Sequence, residues 1–289
     1  MAVPIGMLIP PKLGREGIES VVTWAKATGL GALDLPEDFA AAAQACRAHG
    51  LRIGAVQGIG QTQLLSPDGR QRDGVVARLL SQIRAMPAAG AGILFLCLVP
   101  EDSRQPIATS LAVFRETFPV IAAECERAGV RAVLEGWPGP APHYPTLGYT
   151  PETLRAMFAA VPSAALGLNY DPSHLVRLGI DYLRVLDEFK GRIYHCHGKD
   201  TALLSEAQYL YGHLPPALDK AASFSEGAWR YCVPGDGAVD WSQVAYALDR
   251  AGYTGCVSIE LEDARYWGSL EKEQAGIAKA YRHLARHFS

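Results

Sequence analysis

Four apolar runs in the second half of the chain each end in a side chain able to bind a metal or carry a proton. Val133-Leu134-Glu135 leads into Gly136-Trp137-Pro138-Gly139, and Asn169-Tyr170-Asp171 into Pro172-Ser173-His174. Ile193-Tyr194-His195-Cys196-His197 leads into Gly198-Lys199-Asp200, and Val257-Ser258-Ile259-Glu260 into Leu261-Glu262-Asp263. A carboxylate that terminates an apolar strand is costly unless it is paired or metal-bound. Singly, each residue has a structural explanation: Asp171 can cap the helix that Pro172 opens, and Glu260 can pair with Arg265. Together they read Glu, Asp, His, Glu, an oxygen-rich set that suits a hard divalent ion better than a closed thiolate zinc site would.

The elements that position these groups alternate along the whole chain. Strand patterns are expected at Pro4–Ile9, Ala32–Leu35, Arg52–Val56, Gly92–Leu98, Arg131–Leu134, Leu166–Asn169, Arg192–His197 and Gly255–Leu261. Helix patterns lie between and after them, at Gly17–Thr28, Pro36–His49, Gly74–Ala89, Pro106–Ala128, Pro151–Ala160, Tyr182–Lys190, Trp241–Ala251 and Leu270–His287. Glycines such as Gly50 and Gly129 punctuate the helix ends, where a left-handed residue stops the helix. Eight alternations with no composition break predict an α/β fold, one (β/α)8 TIM barrel over residues 1–289. An open doubly wound sheet would want a glycine-rich loop after the first strand, and Ile9-Pro10-Pro11-Lys12 is none. Barrels place chemistry at the C-terminal ends of their strands, where all four ligand candidates fall. Two connections on that face exceed ordinary loop length: Gly58–Arg72, and an insertion at 198–240 after strand seven, expected to be a long βα loop over the active-site face.

Composition narrows the function classes. The 289 residues are 49% hydrophobic and 20% charged, with a formal net charge of -3. That balance gives no electrostatic reason to expect nucleic-acid binding. No run reaches the length of a membrane span, and the first ten residues lack a secretion signal. Six scattered cysteines with no CxxC pair are expected to be reduced. The expected location is cytoplasmic, with no nucleic-acid or membrane partner and a homo-oligomer left open.

The motifs LEG (Glu135), DPSH (Asp171, His174), HCHGKD (His195 to Asp200), PGDGAVDW (Pro234 to Trp241) and SIELED (Glu260) resemble the sugar phosphate isomerase/epimerase family. That family lies within the xylose isomerase-like barrel superfamily and includes ketose 3-epimerases. The likeness covers the C-terminal half by motif and the N-terminal half by rhythm alone. It implies a divalent metal, manganese before magnesium or cobalt, held by Glu135, Asp171, His197 and Glu260, and a small carbohydrate substrate. The implied reaction is proton transfer beside a carbonyl, with the ion stabilising the enediolate and Glu135 and Glu260 as the catalytic pair. His174 is expected to contact substrate. His195, one inward position deeper than His197, is expected to face substrate, support His197 or merely pack.

Other residues are read more openly. Asp200 is expected to bind substrate hydroxyls or hold His197, and Lys199 is read as either a surface ion pair or a polar contact. Trp137 and His143 follow Glu135, and the insertion carries Tyr209, Tyr211, His213, Phe224, Trp229, Arg230 and Tyr231. These aromatics can stack on a sugar or aglycone, or form an interface. Arg230, the nearest cation to Gly235-Asp236-Gly237, is expected with Trp137 to bind substrate, and no basic cluster accompanies those glycines. A non-phosphorylated sugar or glycoside is therefore expected at least as readily as a sugar phosphate. A lyase expelling a group from a 3-keto-glycoside is the runner-up. A DNA-repair endonuclease would need more His and acid ligands, and a decayed sugar-binding barrel would not keep the quartet.

Overall fold

The computed structural model describes residues 3–140, 144–218, 224–225 and 227–288. The strands are β1 Ile5–Leu8, β2 Ala32–Leu35, β3 Arg52–Gln57, β4 Ile93–Cys97, β5 Arg131–Glu135, β6 Leu166–Tyr170, β7 Ile193–Gly198, β8 Asp200–Leu203, β9 Trp229–Cys232 and β10 Val257–Ile259. The helices are α1 Pro11–Gly14, α2 Ile18–Thr28, α3 Ala40–His49, α4 Gly69–Ala85, α5 Ile107–Ala128, α6 Pro151–Ala160, α7 Pro172–Arg177, α8 Tyr182–Phe189, α9 Ser205–Tyr211, α10 Trp241–Arg250 and α11 Leu270–Leu284. Eight parallel strands close a barrel in the order β1-β10-β7-β6-β5-β4-β3-β2. This is the expected (β/α)8 barrel.

The register puts the chemistry on one level. Cys97 pairs with Glu135 and Glu135 with Asn169, while His197 pairs with Ser258. Side chains alternate across a strand, so His195 and His197 share the barrel interior while Cys196 faces the helices. The apolar core runs from the strands to the inner faces of the helices, through Leu33, Leu94, Leu134, Leu166 and Val257 to Val22, Leu79, Phe118 and Ile277. Helix ends are stopped as the sequence suggests: Gly50 (φ 67°) and Gly129 (φ 66°) are left-handed, which glycine adopts without steric penalty.

One helix start is corrected, and the long insertion is filled in. The helix expected from Gly74 starts at Gly69, where the Asp68 carboxylate accepts from the Arg70 and Gln71 amides. Its first turn, Gly-Arg-Gln-Arg, has no apolar residue, so hydrophobic periodicity alone begins too late. The 198–240 insertion is more than a loop. It holds the antiparallel pair β8–β9, with Asp200 opposite Cys232 and Leu203 opposite Trp229, and the helix α9. Among the described residues, no helix is long and apolar enough to cross a membrane.

Candidate metal and active site

β5 and β7 and the residues after β6 and β10 deliver Glu135, His197, Asp171 and Glu260 to one point. One ligand atom from each lies within 4.8 Å of all the others. His197 Nδ1 is 2.8 Å from Glu135 Oε2, 3.3 Å from Glu260 Oε2 and 3.9 Å from Asp171 Oδ2. Both readings of Asp171 are realised at once. Its Oδ1 accepts from the Ser173 amide at 2.9 Å and caps α7, while Oδ2 turns to the cluster. Asp171 Oδ2 and His197 Nδ1 are buried without a hydrogen bond. Two such orphans facing each other across a hard donor set fit a bound divalent ion, which would satisfy both.

Electrostatics hold the cluster charged. Burial alone would raise the Glu135 carboxyl, but the charge on His197, the His174 hydrogen bond and the Lys199 charge outweigh it and hold the pKa well below the usual range. Glu260 is likewise brought to about 2: Lys199 and His197 overcome its desolvation. Burial opposes the His197 cation, yet Glu260 and Glu135 raise its pKa well above the ordinary imidazole value. Asn169 Nδ2 donates to Glu135 Oε2 at 2.5 Å and orients that carboxylate from the neighbouring strand.

His174 joins the cluster from α7. Its Nε2 is 3.4 Å from both Glu135 Oε1 and Asp171 Oδ2, and its Nδ1 meets the Tyr231 hydroxyl at 2.6 Å. It is buried behind the ligands and is not among the residues lining the cleft above them. That cleft, about 870 Å³, is lined by Glu135, Trp137, Lys199, Glu260 and Glu262, with Asp34, Gln57 and Gln61. Much of the remaining lining is apolar, with Ile9, Pro10, Ile18, Val21, Phe224 and Leu261, and Phe95 stacked on His197.

Three expected substrate contacts lie elsewhere. His195 points into the barrel below His197, where its Nε2 meets Asp34 Oδ2 at 3.0 Å and its Nδ1 lies 3.6 Å from Cys256 Sγ. Its side chain is one inward step too deep to reach the cleft. Burial would lower its pKa, but the Asp34 charge raises it to about 10, so it pairs there as a cation. Gly54 leaves room for this pair, since a Cβ there would stand 2.2 Å from Asp34 Oδ1. Asp200 is fully buried in the insertion. It accepts from the Thr201, Gly235 and Val239 amides and from Trp241 Nε1, at 2.8–3.2 Å. Arg230 faces Asp263 at 3.9 Å, away from the cleft, because alternation along β9 sends Tyr231 inward instead. His143 lies outside the described residues.

The structure adds Asp34 and Lys199 to the site. Asp34 sits in β2, the end of the run Ala32-Leu33-Asp34-Leu35, and its Oδ2 is 3.8 Å from His197 Nε2. The signal used for Glu135, an acid in a short apolar strand, was available there too. Lys199 is 1% exposed, with Nζ 3.2 Å from Asp171 Oδ2 and 2.8 Å from Glu262 Oε2 and hydrogen-bonded to Glu260. The surface ion pair that its place after β7 allowed is not what forms.

Strand-end acids and a histidine converging at the C-terminal mouth define a (β/α)8 barrel with a candidate metal cradle. A family described as the xylose isomerase-like TIM barrel matches residues 12–287, and the chain belongs to it. Over 115 residues, 39% of this chain and 36% of the relative, it is 33% identical to an inosose dehydratase of Geobacillus thermodenitrificans (strain NG80-2). The chain matches less than half the length of such curated relatives. The fold is similar to the 3-keto-D-glucoside 4-epimerase YcjR from E. coli, with TM-score 0.71 and 14% identity over 97% of this chain and 99% of that one. It is also similar to the IOLI protein with a binding zinc atom, with TM-score 0.72 and 14% identity over 99% of each chain. At these identities the likeness is one of fold. The family includes sugar-modifying enzymes, epimerases and dehydratases among them.

Proposed function

We propose that this protein is a divalent-metal-dependent isomerase or epimerase of a keto-sugar or 3-keto-glycoside, moving the proton on the carbon beside the ketone. The observation that carries this reading is the convergence of the Glu135, Asp171, His197 and Glu260 ligand atoms at the floor of the cleft. These four residues would hold the ion, manganese by their hardness, with magnesium or cobalt as alternatives; zinc is bound in the IOLI neighbour. When bound, the ion would supply Lewis-acid polarisation of the substrate carbonyl.

The chain's own groups do the rest. Glu135 and Glu260 both line the cleft and stand on strands separated by β6 and β7, so each can meet a different side of a substrate. One carboxylate takes the proton from carbon and the other, entering the step protonated, gives its own proton to the opposite face, the arrangement an epimerase needs. Asn169 and His174 hold Glu135 in place from behind. The apolar part of the lining suits an aglycone, and Lys199 is the single cation among the described cleft-lining residues, which favours a substrate without phosphate. Six free cysteines fit a reducing compartment, the cytoplasm.

Elimination is the second reading, favoured by the sequence matches to inosose dehydratases. The same proton removal would then expel a group from the adjoining carbon. Incubation of 3-keto-glycosides with protein and Mn²⁺ separates the two: an isomeric sugar indicates an epimerase, aglycone release a lyase. Failure of the purified protein to bind or respond to any divalent ion contradicts both.

A further inference from the structure

Lys199 places an ammonium against the same oxygens that the quartet would offer an ion. The oxygens facing His197 Nδ1 are Glu135 Oε2, Glu260 Oε2 and Asp171 Oδ2. Lys199 Nζ is hydrogen-bonded to that Glu260 oxygen and lies 3.2 Å from that Asp171 oxygen. Its remaining carboxylate partner is Glu262 Oε2 at 2.8 Å, and Glu262 stands outside the quartet, on the cleft wall. The Tyr231 ring faces the ammonium from 4.8 Å. A fully buried ammonium is held where it is by charge, since desolvation would otherwise expel it.

We propose that Lys199 is a resident cation that competes with the divalent ion for Asp171 and Glu260, while Glu262 draws it aside, so that the Lys199–Glu262 pair sets the metal affinity of the site. The proposal rests on reading the quartet as a metal site. Two positive centres sharing two carboxylates repel strongly in a buried setting. The ion therefore binds against Lys199, and binds better the more completely Glu262 accommodates the ammonium. This makes the two members of one ion pair act in opposite directions on affinity.

Isothermal titration of metal-stripped protein with Mn²⁺ tests this with Lys199→Met and Glu262→Gln. Removing the ammonium tightens binding by about tenfold or more, and neutralising Glu262 weakens it by about tenfold, the scale of changes beside metal ligands. A lysine that merely fills space would loosen the site when replaced and weaken binding in both variants. That result, or no tightening in the Lys199 variant, overturns the proposal. If Lys199→Met does not fold, Lys199→Gln, which keeps a donor for Glu262, reads the same quantity. Binding by wild type without a gain in either Lys199 variant defeats this inference alone. No Mn²⁺ binding by wild type or variants defeats the metal reading and this one with it.

Discussion

His197 carries the proton that a divalent ion has to displace. Glu260 and Glu135 hold the imidazole charged against the opposing cost of burial, whereas a metal ligand must be neutral. The sign follows directly: protons compete with the ion, so affinity rises with pH and each ion bound releases a proton. Calorimetry at pH 7 in buffers of different ionisation enthalpy is expected to show about one proton released per ion. Release of none would mean that His197 is not a ligand.

The elements behave as supports with their own energetics. Asp34 on β2 and His195 on β7 form a buried pair across the barrel floor, tied also to the Ala55 amide and the Ser258 hydroxyl. Replacing His195 with Leu leaves a buried carboxylate without its cation and is expected to cost about 3–5 kcal/mol in urea unfolding. Because the His195 pKa is raised from 6.5 to about 10 on folding, its contribution is complete below pH 6.5 and is lost as pH rises through 10. The wild type should therefore lose stability over that window more steeply than His195→Leu; parallel profiles would contradict the pairing. Asp200→Ala strands three buried donors, the Thr201 and Val239 amides and Trp241 Nε1, and the part-buried Gly235 amide, and so unfastens β8 from the turn before α10, each buried orphan costing about 1–3 kcal/mol. The insertion is expected to become protease-sensitive before the barrel unfolds, which limited proteolysis measures.

The barrel itself was legible because strand and helix periods alternate and glycines mark the helix ends. So was the convergence of the quartet, because three acids and a histidine are improbable by chance at the ends of four successive apolar runs. What sequence could not resolve was depth and partner choice. His195 and His197 look alike in HCH, yet a two-residue step along the strand separates a floor pair from a ligand. Asp200 and Lys199 are adjacent, and only packing shows that one anchors backbone while the other faces the carboxylates. Asp34 carries the same local signal as Glu135 but stands far before the motifs, and only barrel closure brings β2 to His195 and His197.

At the scale of the whole molecule, the cleft joins a charged floor to an apolar rim. Lys199 is the single lining cation among the described residues and is already engaged by carboxylates. Inorganic phosphate at millimolar concentration is therefore expected not to compete with substrate; strong competition would restore a phosphorylated sugar to the account. The β8–β9 insertion closes one side through Phe224 on the cleft and Tyr231 on His174, so the cleft and its supports draw residues from both barrel and insertion.

The central claim is proton transfer beside a ketone by the carboxylates of the quartet. Deuterium incorporation from D₂O into a 3-keto-glycoside, followed by NMR with Mn²⁺ present, tests it most directly. Wild type is expected to exchange the proton on the carbon next to the ketone, and Glu260→Gln to lower that rate by about 10²–10⁴-fold while keeping its unfolding midpoint. Exchange that persists in Glu260→Gln, or in protein stripped of metal, would contradict the account.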